Sequence, residues 1–325
     1  MNLNSNTTQL TESAIMSVVM AALFVIGMSY LPILIFVFPV PFIVIGIKNN
    51  LKSAWGSLIV GALLTMFAMD IVTAFSICAV AGIIGTSLVV LEKKDYSTSA
   101  MLGMTTIATL CTIMAILFIS STVTGFNYAN AFKDTVELST SYINASLDMP
   151  EMQNIPNTSP EEIKLVTKEL KENFDEVMKR TIMLLPFSII ILSFLMTYLS
   201  YWASIVTLRK MNIKKREIPK IERFRLPEHI LVGVLVILTA TVLVSYIKIV
   251  HYQALVYNLG MIFSTLLAIQ GYAVVAYKLK RSKIPKVLRF IILIFLILNG
   301  YMLTVCGAMD TIFDFRKIKK VENGD

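Results

Sequence analysis

The chain has 325 residues, 56% of them hydrophobic, with a mean hydropathy of +0.73 and a formal charge of +8. That apolar content excludes an ordinary soluble domain, because hydrocarbon about 30 Å thick asks for roughly 20 apolar residues per crossing helix. The positive charge does not point to nucleic acid, since the Lys and Arg residues stand in connectors beside apolar runs, as topology signals do.

Apolar runs at 12–30, 31–47, 54–70, 71–91, 100–121, 181–208, 229–248, 253–279 and 286–306 predict an all-α polytopic transmembrane bundle. The count is about nine spans, or eight if the second run, which carries Pro32, Pro39 and Pro41, is broken or re-entrant. The polar stretch through Thr11 lacks Lys and Arg, and the run after it is long enough to stay as a span, so no cleavable leader is read. In the first run, Ser13, Ser17 and Ala21 form a stripe of small residues at helical spacing. Such a stripe admits close approach of another helix, either within this chain or on a separate subunit. Asp70 breaks the third and fourth runs and reads as a turn residue or as a carboxylate facing a cationic ligand. Cys78, Cys111 and Cys306 lie in apolar runs without metal-ligand or redox spacing and read as small packing residues.

Residues 122–180 form the one long polar insert. Within it, Ser159-Pro160-Glu161-Glu162 predicts a helix start with a capping box. Ile163, Val166, Leu170, Phe174 and Val177 follow at helical spacing and need an apolar surface, whereas 140–158 reads as irregular loop. The cluster from Arg209 to Arg225 marks a basic linker over 209–228. With Lys48, Lys52, Lys93 and Lys94 it occupies alternate connectors, which places those connectors and the N-terminus inside and the insert outside. The connector Lys278 to Lys286 falls inside too, but a ninth crossing puts the tail with Arg316, Lys317, Lys319 and Lys320 outside. The chain thus divides into a six-span block over 1–208, the linker, and a C-terminal bundle and tail over 229–325.

Chemistry-bearing motifs are sparse. His229 and His251 form no metal-binding pattern, and no phosphate loop or nucleophile constellation is present, so the chain reads as a non-enzyme without cofactor or metal. Asn258, Gln270 and Asn299 lie in the last runs as hydrogen-bonding glue or as ligand-side groups. In the tail, Asp310 and Asp314 stand four residues apart with Arg316 and Lys317 free to balance them, while Phe313 and Phe315 suit a membrane interface.

The stripe on the first helix, six spans and a basic connector over 12–208 resemble the substrate-binding S components of energy-coupling-factor vitamin transporters. That resemblance implies a small solute, a transmembrane coupling subunit and ATPases as partners. The linker Lys214-Lys215-Arg216-Glu217-Ile218-Pro219, the segment Ile269-Gln270-Gly271-Tyr272, the connector Lys283-Ile284-Pro285-Lys286 and the closing Asp310-Thr311-Ile312-Phe313-Asp314-Phe315-Arg316-Lys317 resemble the YybS family. That family comprises bacterial integral membrane proteins classed as a domain of unknown function, which implies the bacterial cytoplasmic membrane. The expected role is a non-catalytic solute-binding subunit with an outward-opening pocket between spans one to six beneath the insert. The alternative is a structural or regulatory membrane protein that organises protein partners without a solute.

Overall fold

A computed structural model describes residues 3–147, 149, 159–213, 221–226, 230–246 and 252–316. Among them every regular element is helical and no strand occurs. In chain order these are α1 (Leu3–Ser29), a 3₁₀ segment (Pro32–Val37), α2 (Val40–Lys48), α3 (Leu51–Met66), α4 (Ile71–Lys93), α5 (Thr98–Thr124) and α6 (Tyr128–Leu147). Then come α7 (Pro160–Met183), α8 (Leu185–Lys210), a short 3₁₀ turn (Ile221–Arg223), α9 (Ile230–Tyr246), α10 (Tyr252–Arg281), α11 (Lys286–Leu298) and α12 (Gly300–Phe313). His229, His251, Lys214 to Lys220 and the tail from Lys317 lie outside the described residues.

Among the described residues, five helices are long and apolar enough to cross a membrane: 7–29 of α1, then α4, α5, α8 and α10. The pair α11 and α12, bent by 99°, makes six if it counts as one span. The expected nine is therefore too many, for reasons of length and continuity. Prolines divide the second run into the 3₁₀ segment and the nine-residue α2. The 16 residues of α3 reach only about 24 Å at 1.5 Å per residue, and α9 is described over Ile230–Tyr246 alone. Within the insert, α6 extends to Leu147, so 140–147 is helix rather than loop.

The chain forms two compact units, 1–131 with 188–218 and 132–187 with 219–325. Residues 132–187, counted above with the first six spans, belong to the second. In unit 1, α1 packs along α3, α4 along α5, and α2 touches both α3 and α4. One apolar cluster joins Met20, Phe24, Phe42, Leu58 and Ala81, and a second joins Ile43, Ile84, Leu88, Met101, Met196 and Ile205. Side-chain caps set the helix starts: Asn50 accepts from the Ser53 N–H at 2.8 Å, and Ser97 from the Ala100 N–H at 3.3 Å. Glu12 binds Lys48 Nζ at 2.6 Å and accepts from Asn49 Nδ2 at 3.2 Å, tying the start of α1 to the α2–α3 turn.

In unit 2, α10 and α12 are close neighbours. Ser264 meets Thr304 at 3.2 Å and Gln270 meets Asp310 at 3.0 Å, so the two helices run in the same direction. Gly271 and Gly307 permit this approach: a Cβ on either would collide with main chain, that of Leu303 or of Leu267. Because the helices are parallel, Arg316 ends beside the end of α10, where the Tyr277 hydroxyl donates to the Arg316 carbonyl at 3.4 Å. The start of the tail therefore shares an end with Lys278 to Lys286, which corrects the expectation that a ninth crossing separates them.

Candidate functional site

In unit 1 the four elements around Pro39, α4, α5 and α8 leave a cavity of about 210 Å³. Its walls come from Phe38, Ile77, Val80, Ile116, Leu192 and Met196 among others, and Ser76 is the one side-chain hydroxyl in the lining. Ser76 already donates to the Val72 carbonyl at 2.7 Å, so the space offers almost no polar recognition. A 150 Å³ apolar cavity accommodates a benzene-sized molecule, whereas pockets for drug-sized ligands run from about 300 to 1,000 Å³. The walls belong to the second, fourth, fifth and sixth predicted runs. The lining residues all lie in unit 1, and no described residue of the 122–180 insert is among them.

The small-residue stripe faces inward at Ser17, which is buried and donates its hydroxyl to the Ser13 carbonyl at 2.8 Å. A Cβ placed on Gly61 of α3 would stand 3.2 Å from the Ser17 carbonyl oxygen, so the close approach is to α3 of the same chain. Ser13 and Ala21 are half-buried on either side. A matching stripe that the sequence reading passed over runs along α8: Ser193, Thr197, Ser200 and Ser204 are all buried. Ser200 donates to the Phe36 carbonyl at 2.7 Å, and Thr197 meets Thr109 at 3.3 Å. The signal was present, being the same helical spacing of small hydroxyl residues seen in α1. Glu92 was missed as well; it is buried at the end of α4 beside Leu88, Met101, Tyr201 and Ile205.

Asp70 is exposed and acts as the N-cap of α4, accepting from the Thr73 N–H at 2.9 Å. Hydrogen bonding from the Thr73 side chain, reinforced by the backbone, holds its carboxyl below the usual range. Asn299 sits exposed at the α11–α12 bend, without a side-chain cap bond, rather than inside a continuous span. Cys111 is exposed on α5 while Cys78 is buried, so only Cys78 fills the packing role assigned to all three. Cys306 is intermediate.

The polar residues of unit 2 converge at two places. Asn258 spans the break between α7 and α8 caused by Pro186, whose ring removes one helical donor. Its Oδ1 accepts from the Phe187 N–H at 2.7 Å, and its Nδ2 donates to the Met183 carbonyl at 2.7 Å. Asn258 thus occupies the place of the Phe187-to-Met183 helical bond and satisfies both of its ends.

The second place is built on Asp310 and Arg316, whose side chains are 2% and 1% exposed. Arg316 Nε and Nη2 donate to Asp310 Oδ2 at 3.1 and 2.8 Å. Its Nη1 donates to the Glu222 and Phe224 carbonyls at 2.9 and 2.8 Å. Gln270 Nε2 adds bonds to Asp310 Oδ2 at 3.0 Å and to Thr311 Oγ1 at 3.2 Å, and its Oε1 accepts from the Leu226 N–H at 2.7 Å. The linker turn is therefore clasped to α10 and α12 by one guanidinium and one amide. Arg316 thus balances Asp310, the counter-charge read from the tail sequence, but inside the protein rather than in water. Asp314 instead ends α12 in the left-handed region at φ 44°.

Neither place assembles a nucleophile with a base, and no group of three His, Cys, Asp or Glu side chains that could hold a metal occurs among the described residues. A family model described as a predicted membrane protein (DUF2232) matches residues 16–314. No curated protein and no solved structure matches the chain.

Proposed function

Since the chain belongs to the DUF2232 family of predicted membrane proteins, a description that carries no activity, we propose its function from the unit 1 cavity. In this reading the protein is a non-catalytic component of the bacterial cytoplasmic membrane that holds a small apolar solute. The supporting observation is the cavity of about 210 Å³ walled by α4, α5, α8 and the segment at Phe38 and Pro39. Apolar walls favour an aromatic ring or a short acyl segment over a polar vitamin, because a buried polar group without partners is penalised by several kcal/mol. The tail motif's resemblance to the YybS family belongs to the same reading. So do a coupling subunit and ATPases, which would dock away from Ser17 because that residue already faces α3. A second reading, a partner-organising protein without a solute, draws on the clasped basic end of unit 2.

The two readings separate on retained small molecules. Leu117 lines the cavity, whereas Ile107 on the same helix is 64% exposed. Wild type and Ile107→Trp, purified in gentle detergent, are expected to carry an apolar compound by mass spectrometry that Leu117→Trp lacks. If all three preparations carry the same molecules, the solute reading fails and the organising role takes its place.

A further inference from the structure

The last turn of α10, the connector after it and the first residue of α11 hold Lys278, Lys280, Arg281, Lys283 and Lys286. Nearby cations are committed to structure. Arg316 is buried against Asp310, Lys280 bonds Glu222 at 3.0 Å, and Arg281 lies 4.4 Å over the Tyr277 ring. Arg289 staples the connector itself, donating to the carbonyls of Ile284 at 2.6 Å, Ser282 at 3.0 Å and Lys280 at 3.3 Å. Lys278, Lys283 and Lys286 are exposed and form no ion pair among the described residues.

Lys286 is also the first residue of α11, which has no buried residue; Val287 is 72% exposed and Phe290 65%. Thirteen residues make this helix about 20 Å long, too short to cross a membrane but long enough to dip through one leaflet. Cations thus stand at the mouth of an uncovered apolar helix, and the Arg289 staple fixes the connector before anything binds. We propose that this connector and α11 form a binding site for an anionic phospholipid. Its phosphate headgroup pairs with Lys283, Lys286 and Lys278, and its acyl chains lie along Phe290 and the residues beyond it. The site lies in unit 2, so it stands or falls independently of the unit 1 cavity.

The test titrates phosphatidylglycerol into delipidated full-length protein in neutral detergent and counts bound lipid by native mass spectrometry. Neutralising two lysines in Lys283→Gln/Lys286→Gln is expected to weaken binding about 30-fold at low salt. Lys93→Gln/Lys94→Gln, an equal charge change in unit 1, should leave it within about threefold, and phosphatidylcholine should not compete. Lys283→Arg/Lys286→Arg, which keeps the charge, should bind like wild type and gives a readout if the glutamine variant does not fold. Equal weakening by the unit 1 variant would mean diffuse attraction and overturn the proposal. Displacement by inorganic phosphate, loss of binding in the arginine variant, or preference for phosphatidylcholine would overturn it as well.

Discussion

In unit 1 the helices meet through Phe24, Phe42, Leu58 and Ile84, with single hydroxyls such as Ser200 and Thr197 crossing between them. In unit 2 the linker turn, α10 and α12 meet through one carboxylate, one guanidinium and one amide, with Gly271 and Gly307 bringing the backbones together. The two designs distribute stability differently. Apolar contacts of about 0.1–0.2 kcal/mol per atom pair accumulate over many residues, so no single hydroxyl in unit 1 is decisive. A buried ion pair concentrates its effect, because removing one member strands the other without water.

Removing the Asp310 carboxylate should therefore give the largest effect. Asp310→Ala leaves Arg316 charged and buried, and should lower the stability of unit 2 by about 3–5 kcal/mol in detergent unfolding experiments. Replacing both members, Asp310→Leu with Arg316→Met, should recover part of that loss, since no stranded charge remains. A double variant less stable than Asp310→Ala would show that the pair's bonds to Glu222 and Phe224, rather than the stranded charge, dominate. Thr197→Val in unit 1 should be far milder, at about 0.6 kcal/mol, the average for interhelical hydrogen bonds in membranes. Thr109 keeps its bond to the Thr105 carbonyl at 2.8 Å when Thr197 is changed, which limits the loss. A Thr197→Val effect equal to that of Asp310→Ala would erase the contrast between the units.

Features that depend on nearby sequence were legible before the structure. The capping box at Ser159 and Glu162 needs only residues three apart, and the all-helical membrane character follows from apolar runs. The span count was not legible, because hydropathy averages over a break: the run 286–306 reads as continuous although it bends by 99° at Asn299. The clasp was hidden for another reason. Arg316 reaches Glu222 across 94 positions and Gln270 reaches Asp310 across 40, distances over which single-sequence spacing carries no signal. Asn258 could be singled out as a polar residue in an apolar run, but its role depended on Pro186 opening the helix opposite it.

The smallest expected effect lies at the start of α7, where an exposed local cap contrasts with the buried clasp of the same unit. Glu162 Oε2 accepts from the Ser159 N–H at 3.1 Å and from its hydroxyl at 3.0 Å. The backbone bond first, and the hydroxyl second, hold the Glu162 carboxyl below its ordinary value. A depressed folded-state pKa means that the carboxylate stabilises the helix start fully above the unfolded value of about 4.3, and that this contribution disappears as pH falls through the lower folded value. Glu162→Gln keeps an acceptor oxygen but does not titrate there. Hydrogen exchange over 160–165 should therefore accelerate on acidification in wild type more than in Glu162→Gln, after correction for the intrinsic pH dependence of exchange. The two proteins should converge in acid, when wild type has lost the charge that distinguishes it. If their difference stays constant from neutral pH to below 4, the side chain acts through its shape rather than its charge, and the cap belongs with the apolar contacts of unit 1 rather than with the charged bonds of unit 2.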